Sequence, residues 1–433
     1  MKTVLIVSPH FPPSTLAGVH RARHLAKYLP GHGWHPVIIR VDEAQYPETP
    51  DPDLAALVPD HVEQIRTGAI DISKTRRFGI GDIGIRGYSA LKAAVLAEVS
   101  KRDVDAILIT GSPFYPMLMA GAVKRKTGLP IILDFQDPWI AAQGAERPYL
   151  SKGRMAHRLS MVLEPRAVKH ADFITSVSET QNAQMAERYQ HLHAGIMAAI
   201  PIGGDPEDFD ALRQRPLSQV AFVLSDDHIN LSFVGTFMPR TGPLMALLFQ
   251  ALQGLLDETP DLRNRLRLNF VGTSNQPNAS DHKPVTDLAN EFGLSDIVRE
   301  HPQRVPFLEA LNILANSDGL LLIGSDEPHY TASKIYPGLM SGTPYISLFH
   351  DASSANEILT SAQGGLVLSF NSKRSLGNLV PEIADALKTL ILKPETIPAS
   401  NPSAYANVTA NGVSRDFADV FDKAVASTSK APT

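Results

Sequence analysis

The sequence predicts an α/β protein made of two doubly wound parallel-sheet domains in series. Three observations lead there. Short continuous apolar runs alternate with amphipathic helical patterns along nearly the whole chain, as expected of strands covered by helices on both faces. The 433 residues exceed what one hydrophobic core holds and fit two domains. The alternation breaks once, across residues 206–229, and then restarts.

Strands are expected at 3–9, 35–41, 105–111, 130–137, 172–178 and 198–204 in the first half. In the second half they are expected at 230–236, 267–273, 319–325, 344–349 and 365–370. Helical patterns lie between them, as at 21–29, 159–170, 308–317 and 380–391. This gives a first domain over 1–207 and a second over 208–412, with a last amphipathic helix at 413–427.

Composition excludes several classes. With 43% hydrophobic and 20% charged residues, the chain is neither disordered nor fibrous. A net charge of −5 argues against a dedicated nucleic-acid binder. Residues 1–215 carry 25 Lys+Arg against 23 Asp+Glu, and the remainder 15 against 22. The first half is therefore mildly basic, which suits an anionic substrate or a membrane surface. The absence of cysteine removes disulfide and thiolate chemistry. The opening "MKTVLIVSPHFPP" reads as a strand stopped by two prolines, not a signal peptide. No apolar run of about 18 residues occurs, so a cytoplasmic protein is expected, with peripheral contact to the inner face of the membrane left open.

Ligands of open α/β sheets bind beyond the carboxyl ends of the strands. The residues that follow strands are therefore the informative ones. After the first strand comes "SPHFPPSTLAGVHRARHLAKYL", where Gly18 opens a helix and would let an anion approach the backbone; a plain turn requirement explains the same glycine. "DFQDPWI" puts Asp134, Asp137 and the flat wall of Trp139 at the end of a very apolar strand. The alternative for Asp137 is a helix N-cap. "SVSET" carries N-cap chemistry at Ser178, with Gln181 three residues on. "FVGTFMPRTGP" repeats the strand–glycine–helix shape, with Arg240 near the turn, where its fork suits phosphate. In "GSDEPHYTASKIYPGLMSGTPY", Asp326 and Glu327 follow a strand, while Ser333 and Lys334 precede a helix. Pro337 is tolerated there only inside a first turn, so that helix is expected to begin near Tyr336 and to leave Lys334 where an anion would be held. No spacing suggests a metal, since "HLH" at 191–193 lacks further ligands nearby.

With these residues placed, the chain resembles the GT-B glycosyltransferases of the family-4 type from about residue 3 to 392. The segments that carry the resemblance are "FPPSTLAGVHRARHLAKYL", "DFQDPW", "SVSE", "IPIGGD", "FVGTF" with Arg240, "SKIYPGLMSGTPYI" and "ANEIL". The resemblance implies two Rossmann-like domains facing across a cleft, and a last helix that returns to the first domain. It implies a retaining, metal-independent transfer of a sugar from a nucleotide-diphosphate donor to a glycan or lipid-linked acceptor in surface-polysaccharide or glycoconjugate assembly. Carried over residue by residue, Gly18 would meet the donor phosphates, and Arg240 and Lys334 would hold the diphosphate. Gly235, Thr236 and Phe237 would seat the nucleoside, with Ser333 beside them, and Glu327 would meet the donor sugar. Asp137 would lie on the acceptor side, together with His10 and Trp139. Pro337 departs from the pattern, because family members usually carry a ribose-binding Glu there; Glu357 is the candidate replacement. Two other readings fit the same fold: a scaffold that keeps the architecture without the chemistry, and a nucleotide-sugar epimerase.

Overall fold

The structure is a computed structural model, and it describes residues 1–217, 220–274, 282–326, 333–371, 373 and 376–428. The chain divides into two compact units, Met1–Gly203 with Ala410–Thr433, and Gly204–Thr409.

The first unit holds strands β1 (Lys2–Val7), β2 (Trp34–Val41), β3 (Glu63–Thr67), β4 (Ala106–Gly111), β5 (Ile131–Phe135), β6 (Phe173–Ser176) and β7 (Met197–Ala199). They form a parallel sheet in the order β3-β2-β1-β4-β5-β6-β7. Chain direction across the sheet reverses between β1 and β4, and a crevice opens beyond their carboxyl ends at such a point. Val4–Val7 and Ala106–Ile109 are fully buried, as a central strand with helices on both faces requires. The helix expected at 413–427 runs Ala410–Thr428, and its Val413, Phe417 and Phe421 enter the same core as Val4, Ile6 and Leu25. Trp34 meets Phe421 edge to face, with ring centroids 5.1 Å apart.

The second unit holds β8 (Ile229–Val234), β9 (Leu266–Val271), β10 (Val298–His301), β11 (Gly319–Ile323), β12 (Tyr345–His350) and β13 (Leu366–Phe370). Their order is β10-β9-β8-β11-β12-β13, again parallel, with the reversal between β8 and β11. The helix Gly242–Glu258 packs one face, with Leu244, Leu248, Leu252 and Leu255 at helical spacing in the core.

Two sheet edges were not expected from the sequence, β3 ("EQIRT") and β10 ("VREH"). Each is an outermost strand paired on one side only, so it needs no continuous apolar run.

Candidate functional site

In the second unit the reversal between β8 and β11 decides which loops meet. The chain leaves β8 at Gly235, whose φ of +149° is unsuited to other residues. Its N–H donates to Val271 O at 2.7 Å, and Phe237 N–H donates to Thr273 O at 2.8 Å, so the loops after β8 and β9 are tied together. The Thr273 hydroxyl donates to Glu300 at 2.6 Å, which brings the end of β10 into the same edge. Thr236 is half-buried and lines a cavity of 20 Å³ with Phe233, Leu322, Lys334 and Phe349, enough for about one water.

Lys334 lies directly over Gly235: a Cβ added to that glycine would overlap the lysine Nζ, Cδ and Cε. Close backbone approach is thus the reason for glycine here, beyond its φ. Lys334 keeps a solvent-accessible edge although protein surrounds it. Burial, and then the charge of Arg304, lower its pKa from 10.5 to about 7. A short helix, Ile335–Met340, follows it. The helix begins one residue before the expected Tyr336, and Pro337 falls in its first turn, where its missing N–H has no intrahelical partner to lose. Ser333 is half-buried beside it. Replacing Gly235 by Ala should displace Lys334 and strain the backbone. The expected outcome is a loss of about 1–3 kcal/mol of stability together with weakened binding of anionic ligands; unchanged denaturation and binding would show that the lysine adapts freely.

Arg240 sits at the start of the helix Gly242–Glu258 and is exposed. Its Nε donates to Asp326, just beyond β11, at 2.6 Å, so the arginine expected for phosphate also holds a carboxylate. Glu327 lies outside the described residues. Glu357 is exposed in the first turn of the helix Ser354–Ser361. Arg304, which follows β10, went unnoticed in the sequence because the strand that positions it was not recognised; its place after a strand end was the available signal.

In the first unit, Gly18 is the N-cap of the helix Val19–Tyr28, in an ordinary helical conformation. A Cβ there would come 3.2 Å from the Ser112 carbonyl and 3.6 Å from the Gln136 amide oxygen. The ends of β1, β4 and β5 therefore converge beside it. Gln136 is buried there. Asp137 follows in an irregular turn; no helix starts there, which removes the N-cap alternative. Asp137 reaches solvent, yet the protein around it raises its carboxyl pKa to about 6. Trp139 is buried against Phe114, with rings stacked at 5.3 Å. By contrast, Ser178 does cap its helix, accepting from Gln181 N–H at 3.3 Å.

His10 is buried at the end of β1, its Nδ1 3.2 Å from Glu48 and 3.3 Å from the Ser14 hydroxyl, which itself donates to Glu48. Burial works against ionised Glu48, but hydrogen bonds from His10 and Ser14 outweigh it and hold the carboxyl below its usual range. Neither Ser14 nor Glu48 carries a sequence signal, since their separation of 34 positions is bridged only by the fold. Among the described residues no group of three or more His, Asp or Glu could hold a metal ion.

Residues 17–203 match the glycosyl transferase 4-like domain family. The D-inositol 3-phosphate glycosyltransferase of Nocardiopsis dassonvillei is 29% identical over 140 residues, 32% of each chain. The match thus spans about a third of that curated relative's length. A glycosyltransferase from Rickettsia africae aligns over 98% of both chains with a TM-score of 0.59 and 18% identity. Anabaena HepE, solved in complex with UDP-glucose, aligns over 98% of this chain and 100% of its own, with a TM-score of 0.59 and 14% identity. Two parallel α/β units of this kind define the GT-B fold. The first unit is thus similar to the glycosyl transferase 4-like domain, and the two units share the GT-B fold of these solved structures.

Proposed function

We propose that the protein transfers a sugar, with retention of anomeric configuration, from a nucleoside-diphosphate donor to a hydroxyl of a glycan or glycolipid. The observation that carries this reading is the placement of Lys334 over the backbone of Gly235 at the strand-order reversal of the second unit. A cation so positioned suits the diphosphate of a sugar nucleotide. Arg240 adds a second cation, one with a forked pair of donors, if the diphosphate displaces or shares Asp326. In the transfer, the bond between the anomeric carbon and the β-phosphate oxygen breaks. The bond to the acceptor oxygen forms on the same face, and the acceptor proton passes to the departing phosphate. Lys334 and Arg240 offset the charge that develops on that phosphate, a role that in other enzymes falls to a metal ion. The loops after β8 and β9, from Gly235 to Phe237 and at Gly272–Thr273, are assigned to the nucleoside.

The first unit supplies the acceptor-side groups. Asp137, solvent-accessible and with its pKa raised to about 6, is suited to orient an acceptor hydroxyl. His10 is oriented by Glu48, and Trp139, expected as a ligand-facing wall, instead packs into the core against Phe114 and supports the turn that carries Asp137. Gly18 is assigned to an anionic part of the ligand at the first helix.

The test is thermal stability in the presence of UDP, GDP, ADP, CDP and their sugars. A bound nucleotide at 100 times its Kd adds about 2.7 kcal/mol, and the expected outcome is a rise of several degrees with one base only. A folded protein that shifts with none of them would overturn the donor site and leave the architecture without this chemistry.

A further inference from the structure

Six of the large apolar side chains that the first unit exposes fall within fourteen residues of one another, from Tyr149 to Val162. Leu150 is 87% exposed and Met155 61%. They belong to the helix Lys152–Val168 and the turn before it. Only the far end of that helix, at Glu164, Ala167 and Val168, is buried. Met155, Leu159 and Val162 form a stripe at i, i+4 and i+7 on its outer side, facing solvent instead of a core.

Basic residues surround this stripe. Between 146 and 169 the sequence has six Arg and Lys against two Glu, and one of those, Glu164, is buried in a pair with Arg188. Arg147, Lys152, Arg158 and Arg166 are exposed. Arg158 lies over the Tyr149 ring at 4.0 Å, which places a cation at the rim of the apolar surface.

A second segment has the same character. Phe78 is 70% exposed, with exposed Lys74, Arg76 and Arg77 just before it. It follows β3, as the 149–162 segment follows β5. Because all strands of this sheet are parallel, both segments issue from its carboxyl edge, the edge that also carries His10 and Asp137. Apolar side chains ringed by cations complement one kind of surface: an anionic lipid bilayer, where the chains enter the interface and the cations meet headgroups.

We propose that this edge of the first unit docks on an anionic membrane through the 149–162 segment and the Phe78 tip. Docking there would turn the acceptor side toward the lipid surface and select a lipid-linked acceptor. That corollary rests on the transferase reading; the docking does not.

The test uses the full chain and sedimentation with vesicles, either of phosphatidylcholine alone or of equal parts phosphatidylcholine and phosphatidylglycerol. Binding is expected to the mixed vesicles, roughly tenfold weaker to the neutral ones and weaker with added salt. Arg147→Glu with Arg158→Glu should lower it at least tenfold, as should Leu150→Glu with Leu159→Glu. All four side chains are exposed, so the melting temperature should hold. Because the native chain lacks cysteine, Leu150→Cys can carry an environment-sensitive dye. Its emission should shift to the blue on mixed vesicles, while dye at Val223→Cys in the second unit should not respond. No binding to any vesicle, a response at position 223 but not at 150, or self-association abolished by Leu150→Glu would overturn the proposal. A nucleotide-induced stability shift is read separately, so the donor site and the membrane surface succeed or fail independently.

Discussion

Lys334→Ala should lower kcat/KM by about 10²–10³-fold, the usual effect of removing one group that stabilises a developing oxyanion. The loss should fall mainly on kcat if the lysine tightens on the phosphate as it departs. Stability should not drop in parallel. An ammonium whose pKa is pushed to about 7 is costly to keep charged, so its removal relieves that cost. Loss of activity from a protein that melts no earlier would therefore separate a catalytic from a structural role. The pH dependence has a definite sign. Below pH 7 the free lysine is charged and ready for an anion; above it, donor binding must first take up a proton. Donor Kd should rise with pH above 7, by up to tenfold per unit, and Lys334→Met should abolish that slope. Near-normal turnover in Lys334→Ala, or a slope unchanged in Lys334→Met, would remove the residue from the donor site.

Arg21→Ala should cost the first unit about 3–5 kcal/mol, the range for breaking a buried ion pair from one side. Arg21 is fully buried; it donates to Asp134 at 3.2 Å and to the carbonyls of Ile200 and Pro201 at 2.7 Å each. Its guanidinium also lies 4.8 Å from the Phe417 ring of the last helix. One side chain thus joins the first helix, β5, the segment after β7 and the C-terminal helix. Removal leaves Asp134 buried with the Thr175 hydroxyl, which donates at 2.8 Å. Burial already raises the Asp134 pKa, with Arg21 opposing that rise, so the variant carboxyl should move further up. The sign follows: a carboxyl raised above its unfolded value loses stability as pH rises past that value, so the deficit should be larger at neutral pH than in mild acid. Arg21→Met with Asp134→Leu should recover part of the loss, because no charge is then stranded. Urea denaturation followed within the first unit measures all three. A single-variant loss below about 1 kcal/mol would mean that water or neighbouring groups replace the arginine.

The sequence and the structure agree where a single physical requirement dominates. Central strands such as 3–9 and 105–111 must be apolar throughout because helices cover both faces, and they were legible for that reason. Ser178 could be placed from local chemistry alone, since an N-cap is satisfied within three residues. Edge strands β3 and β10 carry no such requirement and went unread, and Arg304 with them. Asp137 was ambiguous because a cap and a ligand-facing carboxylate use the same residue type; the irregular turn that follows it removes the cap.

The sequence by itself determined two doubly wound sheets, a last amphipathic helix, and the set of residues standing after strands. Their partners were decided by tertiary structure. Strand order sets Lys334 over Gly235, a hundred residues away in the chain, and depresses its pKa by burial. It puts Asp326 on Arg240 and Glu48 on His10. It also leaves the stripe from Met155 to Val162 facing outward, where its spacing alone would have predicted a core. Periodicity and caps are properties of adjacent residues, whereas pairing, burial and electrostatics depend on which distant segments the sheet brings together, and that is fixed only when the chain folds.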